Sequence, residues 1–110
     1  MVRLNAHDPS LNQTSESVNM AEIEISGDSV SKLAKALASQ TRWEIMKLLQ
    51  RRGVDVSRIA ETLYQTEANV SAQIKILEDV GLVKARYEPG VHGVRKICEP
   101  AVDKVIITFR

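Results

Sequence analysis

The stretch "DVSRIAETLYQTEANVSAQIKILEDVG", residues 55–81, contains two successive patterns of apolar residues at helical spacing. These positions are Ile59, Ala60 and Leu63 in the first half, and Val70, Ile74 and Leu77 in the second. Asp55 or Ser57 can begin the first helix, while Thr66 can cap the second and Gly81 can end it. Because each apolar set falls on one side of a helix, the stretch predicts two short helices joined by a tight turn, each burying one face.

Two further helices are predicted upstream of this pair. The first begins at Asp28 or Ser29. Its predicted inner face consists of Val30, Leu33, Ala34, Leu37 and Ala38. The second is "RWEIMKLLQRR", residues 42–52, with Thr41 as its cap and Gly53 at its end. The spacing of three and four residues is that of amphipathic helices packed on a common core.

Strands are predicted on both sides of the helices. "LVKARYEP" (82–89) and "GVRKICE" (93–99) should form a hairpin with a long tip at "PGVHG" (89–93). "AEIEI" (21–25) alternates apolar and acidic residues, and "DKVIITF" (103–109) is rich in β-branched residues. These terminal strands could pair within the chain or across a dimer. The predicted fold class is α+β, a winged helix-turn-helix of four helices, a β-hairpin wing and short terminal strands.

The composition bounds the organisation of the chain. The 110 residues allow one small domain, predicted at 21–110, after a polar and flexible leader at 1–20. One Arg stands against five Asp and Glu in residues 1–28, whereas twelve Lys and Arg stand against seven Asp and Glu in residues 29–98. The basic charge of the compact part suits a nucleic-acid partner.

Cysteine and histidine are too few to define a metal or redox site. Cys98 is the single cysteine, so an internal disulfide is excluded. Lys96 and Arg95 beside it could lower its pKa for a redox switch, but a small buried residue on an inward strand face is the favoured interpretation. His7 and His92 are far apart in sequence, and we predict no metal and no cofactor.

Several other classes of function are disfavoured. No apolar run approaches the roughly 20 residues that cross a bilayer. The first 19 residues lack the apolar block of a secretion signal, which predicts a cytoplasmic location. There is no Gly-rich phosphate loop and no nucleophile beside a base, so we predict that the protein is not an enzyme.

The outer face of the fourth helix is the predicted base-reading surface. Its candidate contacts are Thr66, Ala68, Asn69, Ser71, Ala72, Gln73 and Lys75. Amides pair with adenine, Lys reaches guanine or phosphate, and Ala contacts a thymine methyl. Glu67 would repel phosphate, so it should contact cytosine N4 or point away. A polar face turned only to water is the alternative.

Basic residues of the wing and of the second helix complete the predicted site. The candidate contacts to flanking phosphate or minor groove are Arg86, His92, Arg95 and Lys96. Lys84 lies beside them, and among the residues that flank the glycine-bearing tip only Glu88 is taken to oppose their charge. Arg42 should hold the DNA backbone or form a salt bridge to a carboxylate. A solvated charged hairpin is the alternative, and a winged helix that binds protein is the rival function.

Three segments resemble the winged-helix repressors of the arsenical-resistance (ArsR) type, especially archaeal members. "TRWEIMKLL" (41–49), "VSRIAETL" (56–63) and "NVSAQIKILEDVGLV" (69–83) are similar to successive helices of that family, and the resemblance covers about residues 30–98. It implies a homodimeric, sequence-specific DNA-binding protein, usually a repressor. The dimer would form through the first helix with help from the terminal strands.

The chain departs from that family at the positions where many members sense metal. "VDVSRIAETLY" (54–64) lacks the paired cysteines, and "VDKVIITFR" (102–110) lacks the histidine of a C-terminal metal site. Gln73 stands where the family often has His or Arg. The resemblance therefore implies neither metal sensing nor the family's base preference.

Overall fold

The computed structural model describes residues 21–50 and 52–110. The elements are β1 Glu22–Ile25, α1 Asp28–Leu37, α2 Gln40–Leu49, β2 Val54–Asp55, α3 Val56–Leu63, α4 Glu67–Asp79, β3 Val83–Gly90, β4 Gly93–Pro100 and β5 Lys104–Ile107. Four helices and an antiparallel hairpin confirm the predicted α+β winged helix-turn-helix. The leader predicted at residues 1–20 lies outside the described residues.

Local hydrogen bonds define the ends of α3 and α4. The Asp55 side chain accepts from the backbone N–H of Arg58 at 2.8 Å, and the Thr66 hydroxyl accepts from that of Asn69 at 3.0 Å. Of the two predicted starts of α3, Asp55 is therefore the cap, and the Thr66 cap is confirmed. Gly81 has φ +82, a left-handed conformation that ends α4 without steric cost, also as predicted.

The core lies where α2, α3 and α4 meet the base of the wing. The inward faces predicted for α3 and α4 are confirmed, since Ile59, Val70, Ile74 and Leu77 have no exposed surface and Leu63 is half-buried. Cys98 on β4 packs in the same cluster. Full burial of such side chains stabilises the fold by about 1.5–3 kcal/mol each, so α4 is held firmly along its inner face.

Both predicted ends of α2 are wrong. Ser39, rather than Thr41, caps α2, because its hydroxyl accepts from the backbone N–H of Arg42 at 3.2 Å. Gly53 does not end that helix, which stops at Leu49. A Cβ at Gly53 would lie 2.8 Å from Ile97 Cγ2, so this glycine allows close packing against β4.

The inner face of α1 is also narrower than predicted. Leu33 is buried, Val30 and Leu37 are half-buried, and Ala34 and Ala38 are exposed. Ala36, which was not predicted, is buried in their place. Within the described chain, α1 therefore covers the core with only part of its apolar stripe.

The wing is longer and more tightly closed than its sequence predicted. The strands pair as far as Gly90 and Gly93, so the tip is the two residues 91–92 and not the five of "PGVHG". Gly93 adopts φ +118, which makes so short a turn possible. The short β2 strand, missed in the sequence, joins the edge of β4 and gives the order β2-β4-β3. It is too short to carry an alternating pattern.

The terminal strands form a separate two-stranded parallel sheet. β1 pairs with β5, with Ile23 opposite Val105. This settles the predicted alternatives in favour of pairing within the chain. Two longer-range bonds extend the pairing, one from the Asp103 N–H to the carbonyl of Ala21 at 2.7 Å and one from the Thr108 N–H to that of Ile25 at 3.0 Å.

Candidate nucleic-acid interface

The outer face of α4 carries short polar and small side chains on a rigid support. Ala68, Ser71, Ala72 and Lys75 are exposed, whereas Asn69 and Gln73 are half-buried. Because the opposite face of the helix is packed in the core, the backbone that carries the outer side chains has a defined position. Such a face can approach base edges in a major groove without steric obstruction.

A continuous row of amides runs along this face. The Asn69 Nδ2 donates to Gln65 Oε1 at 2.6 Å, and the Gln73 Nε2 donates to Asn69 Oδ1 at 3.1 Å. Gln65 was not among the predicted site residues. Gln65 lies just before the Thr66 cap of α4, and an amide four residues before Asn69 and eight before Gln73 is the sequence signal that could have found it.

Arg42 ends the row, in a role that neither prediction for it described. Its guanidinium donates to Gln73 Oε1 at 2.6 Å, to the Ala36 carbonyl at 2.6 Å and to the Lys35 carbonyl at 3.2 Å. It forms no salt bridge among the described residues. The last carbonyls of a helix lack hydrogen-bond partners within the helix. Arg42 donates to two such carbonyls at the end of α1 while it also donates to Gln73 on α4.

The prediction that only Glu88 opposes the basic residues of the wing is wrong. Arg86 pairs with both Glu88 and Glu99. Arg95 pairs with Asp55 at 3.1 Å and with Glu88 at 3.3 Å. Two of these three carboxylates, Glu88 and Glu99, lie on the neighbouring strands β3 and β4, and the third, Asp55, lies at the start of α3, which brings together charges that are far apart in sequence.

Lys96 also forms an ion pair with a carboxylate. Its Nζ lies 3.2 Å from a carboxylate oxygen of Glu78 near the end of α4, and both side chains are about three-quarters buried. This ion pair links the wing to α4. His92 lies at the exposed tip, beyond these pairs.

A groove of about 550 Å³ separates the start of α4 from the tip of the wing. Ser71 and Glu67 line one side, and His92 and Val94 line the other. Glu67 accepts a hydrogen bond from the Ser57 hydroxyl at 3.0 Å. Its carboxylate is therefore directed toward the start of α3.

Cys98 lies in the core and is not placed for redox chemistry. Burial raises the pKa of its thiol from 9.0 to about 11, with Lys96 opposing that shift and Glu78 and Asp55 adding to it. Within residues 21–50 and 52–110, no three His, Cys, Asp or Glu side chains converge as a metal site would require. None of the helices that the structure describes is long and apolar enough to cross a membrane.

Comparison with known proteins gives the family. A family model described as "Bacterial regulatory protein, arsR family" matches residues 39–85. A crystal structure of a possible transcriptional regulatory protein (fragment 1–100) from Mycobacterium bovis is 34% identical, with a TM-score of 0.60, over 67% of this chain and 75% of that one. No curated protein sequence matches the chain significantly.

Two other solved structures share the fold, and one of them is also 34% identical. It is a solution NMR structure from Mycobacterium bovis, described as the homodimeric winged helix-turn-helix DNA-binding domain of a possible ArsR-family transcriptional regulator. Its 34% identity and TM-score of 0.60 extend over 67% of this chain and 65% of that one. Reduced HlyU from Vibrio cholerae shares the fold at 22% identity, with a TM-score of 0.60, over 66% of this chain and 73% of that one. The chain therefore belongs to the ArsR family of winged helix-turn-helix transcriptional regulators.

Proposed function

We propose that the protein is a homodimeric repressor that binds double-stranded DNA sequence-specifically and responds to no metal. The observation that carries this proposal is the outer face of α4, where Asn69 and Gln73 hold fixed amides on a helix whose other face is locked in the core. Amides at such positions are suited to adenine in the major groove. The likeness to archaeal members of the family stays a prediction.

The contacts to DNA follow from this placement. Asn69, Ser71, Gln73 and Lys75 would face base edges, with Ala68 and Ala72 against thymine methyl groups. Thr66 and the N–H groups of the first turn would hold a phosphate. Arg42 would act on the bases only through Gln73, which replaces the backbone contact expected from sequence.

The wing would contribute less affinity than its basic residues suggest. Arg86, His92 and Arg95 would contact flanking phosphate or the minor groove, but the two arginines must first leave their carboxylates. Exposed ion pairs contribute up to about 1 kcal/mol. A phosphate can therefore displace the carboxylates around Arg86 and Arg95, whereas the more buried Lys96–Glu78 pair should stay intact.

A second copy of the chain would cover the apolar surface that α1 leaves exposed. Ala34 and Ala38 lie on the stripe that the sequence predicted to be buried, yet both face solvent. Contact between two α1 helices would complete that burial. A two-fold pair would also set the two α4 helices about 34–36 Å apart, one turn of DNA.

Of the two edges of the terminal sheet, the β5 edge is better suited to contact a second copy of the chain. Ile106 and Ile107 on β5 are about two-fifths exposed. The β1 edge instead carries Glu22 and Glu24, and two such edges would place like charges together. Antiparallel pairing of β5 with its copy would therefore accompany the α1 contact, since an apolar open edge is otherwise prone to aggregate.

The proposal that the protein senses no metal is supported by the position of Cys98. This single cysteine is fully buried in the core, away from solvent. Addition of Zn²⁺ or a chelator should leave DNA affinity unchanged. A reproducible change in affinity with Zn²⁺ would contradict this part of the proposal.

Selection of bound sequences from a random duplex pool tests the main proposal. Two inverted half-sites with centres about ten base pairs apart are expected, and the affinity should fall steeply with salt. Light scattering should give a dimer that Ile106→Lys or Ala34→Glu weakens. Lys substitution of Val94, an exposed apolar residue of the wing, is the matched control for added charge.

A protein-binding role is the second candidate, and one observation favours it. Tyr87, Val91 and Val94 leave 65%, 92% and 73% of their surfaces exposed on the wing. An apolar tip of this kind suits a protein contact as well as a DNA groove. The salt dependence of duplex binding distinguishes the DNA-binding role from the protein-binding role. If the chain does not bind generic duplex, or binds it with an affinity independent of salt, the protein-binding role is favoured.

A further inference from the structure

The amide row on α4 has a direction, and Arg42 determines it. A guanidinium can only donate hydrogen bonds, so the Gln73 oxygen must face Arg42. The Gln73 nitrogen then faces Asn69, whose oxygen accepts, and the Asn69 nitrogen in turn faces Gln65. One charged donor at the end of the row thus fixes the orientation of every amide in it.

Without such a donor the row has two nearly equivalent states. Reversing all three amides together preserves the two bonds between Gln65, Asn69 and Gln73, because an amide carries a donor and an acceptor of similar geometry. Only the bond to Arg42 distinguishes the two directions. The loss of Arg42 would therefore leave the amides free to present either order of donor and acceptor.

We propose that Arg42 is a positioning residue for base recognition, fixing the amide orientation of Gln73 and Asn69 so that α4 prefers adenine at the positions these residues read. The proposal rests on the DNA-binding function proposed above and adds a determinant of specificity that touches no base.

The remaining hydrogen-bonding capacity of the amides is what adenine requires. After its bonds within the row, Gln73 retains one N–H and one oxygen lone pair, and Asn69 retains the same. An adenine edge accepts at N7 and donates from N6. An amide of fixed direction can match both groups, whereas a reversed amide places its donor opposite a donor.

The position of Arg42 also links α4 to α1. Its other two bonds go to the carbonyls of Lys35 and Ala36, so the guanidinium is held from both sides. A lysine has a point-like ammonium and cannot reproduce this planar set of contacts. Arg42→Lys thus keeps the charge while removing the geometry.

The test measures the affinity of the full chain for its selected duplex and for single-base-pair variants of it over a range of salt. Arg42→Lys should reduce discrimination at the base pairs read by α4 by roughly tenfold, with an unchanged salt slope. Arg58→Lys, the same substitution at an exposed site on α3, is the control and should retain full discrimination. Affinities are compared at a temperature where thermal unfolding shows all variants folded.

A direct phosphate contact by Arg42 is the rival explanation, because two of its five N–H groups remain available. In that case Arg42→Gln would lower the salt slope by about 0.9 and Arg42→Lys would keep full discrimination, which overturns the proposal. Equal losses from Arg42→Lys and Arg58→Lys would overturn it too. If the unsubstituted chain binds no duplex, the proposed function fails and this inference fails with it.

A measurement without any substitution guards against a variant that does not fold. In the free protein, the side-chain amide of Gln73 should have an NMR order parameter near the roughly 0.85 of rigid backbone. The exposed amide of Gln65, at the open end of the row, should be more mobile. A Gln73 value below about 0.6 would show that Arg42 does not fix this amide and would overturn the proposal.

Discussion

The outer face of α4 and the wing both present polar side chains, but the partners of those side chains differ. On α4 the amides of Asn69 and Gln73 bond to one another and keep a donor and an acceptor each for a ligand. On the wing Arg86 and Arg95 are balanced by carboxylates. The helix is prepared for a specific contact, whereas the wing must exchange partners to make one.

This difference shows that charge counted along a sequence overestimates charge available to a ligand. The hairpin looks strongly basic because two of its four carboxylate partners, Asp55 and Glu78, come from other elements. The α4 face looks weakly charged, yet its amides are held in place. Specificity and affinity are therefore expected from different parts of the molecule, and four predictions address that division.

The largest effect is expected from the inner face of α4. Ile74→Ala should destabilise the protein by about 2–5 kcal/mol, because Ile74 is fully buried and its removal leaves a cavity. Denaturant unfolding measures the change. Ser71→Ala on the outer face is the control and should alter the free energy of unfolding by less than about 0.5 kcal/mol. Similar losses in both variants would contradict the separation of the two faces.

The next largest effect concerns the two regions directly. Gln73→Ala should lose about 1–3 kcal/mol of discrimination between the selected duplex and its single-base-pair variants, since an amide that reads a base is removed. Arg95→Ala should weaken all duplexes alike and lower the salt slope by at most about one. Titrations on selected and random duplexes measure both. Identical behaviour of the two variants would abolish the distinction between helix and wing.

A smaller effect should follow from removal of a carboxylate on the wing. Glu88→Gln should strengthen binding to every duplex by up to about fivefold, because Glu88 opposes both Arg86 and Arg95. The salt slope should steepen as a released cation meets phosphate. Glu61→Gln removes the same charge from the exposed side of α3 and serves as the control. Equal gains in the two variants would indicate a general charge effect.

A further effect appears only in alkaline solution, at the buried base of the wing. The pKa of Cys98 is raised from 9.0 to about 11 by burial, so the folded state binds the thiol proton more tightly than the unfolded state. The resulting stability is fully present below pH 9 and is lost as pH rises toward 11. The free energy of unfolding should therefore decline more steeply there than in Cys98→Ala. Parallel declines would show that Cys98 does not titrate in this way.

The sequence by itself determined the helix-turn-helix and its caps, because periodicity and capping act between residues three or four positions apart. Thr66 with Asn69, and the inward set of Val70, Ile74 and Leu77, needed no knowledge of distant parts of the chain. The resemblance of the same segments to the ArsR family was confirmed for the same reason.

Only the tertiary structure decided which hydrogen-bond and ion-pair partners the polar side chains of the site have. Arg95 bonds to Asp55, which is 40 positions away in sequence, and Arg42 bonds to Gln73, which is 31 positions away. Such pairs leave no periodic trace, since each depends on how β4 lies beside α3 or how α2 crosses α4. The exposure of Ala34 and Ala38 was decided in the same way, because an apolar stripe does not say how much of it its own chain will cover.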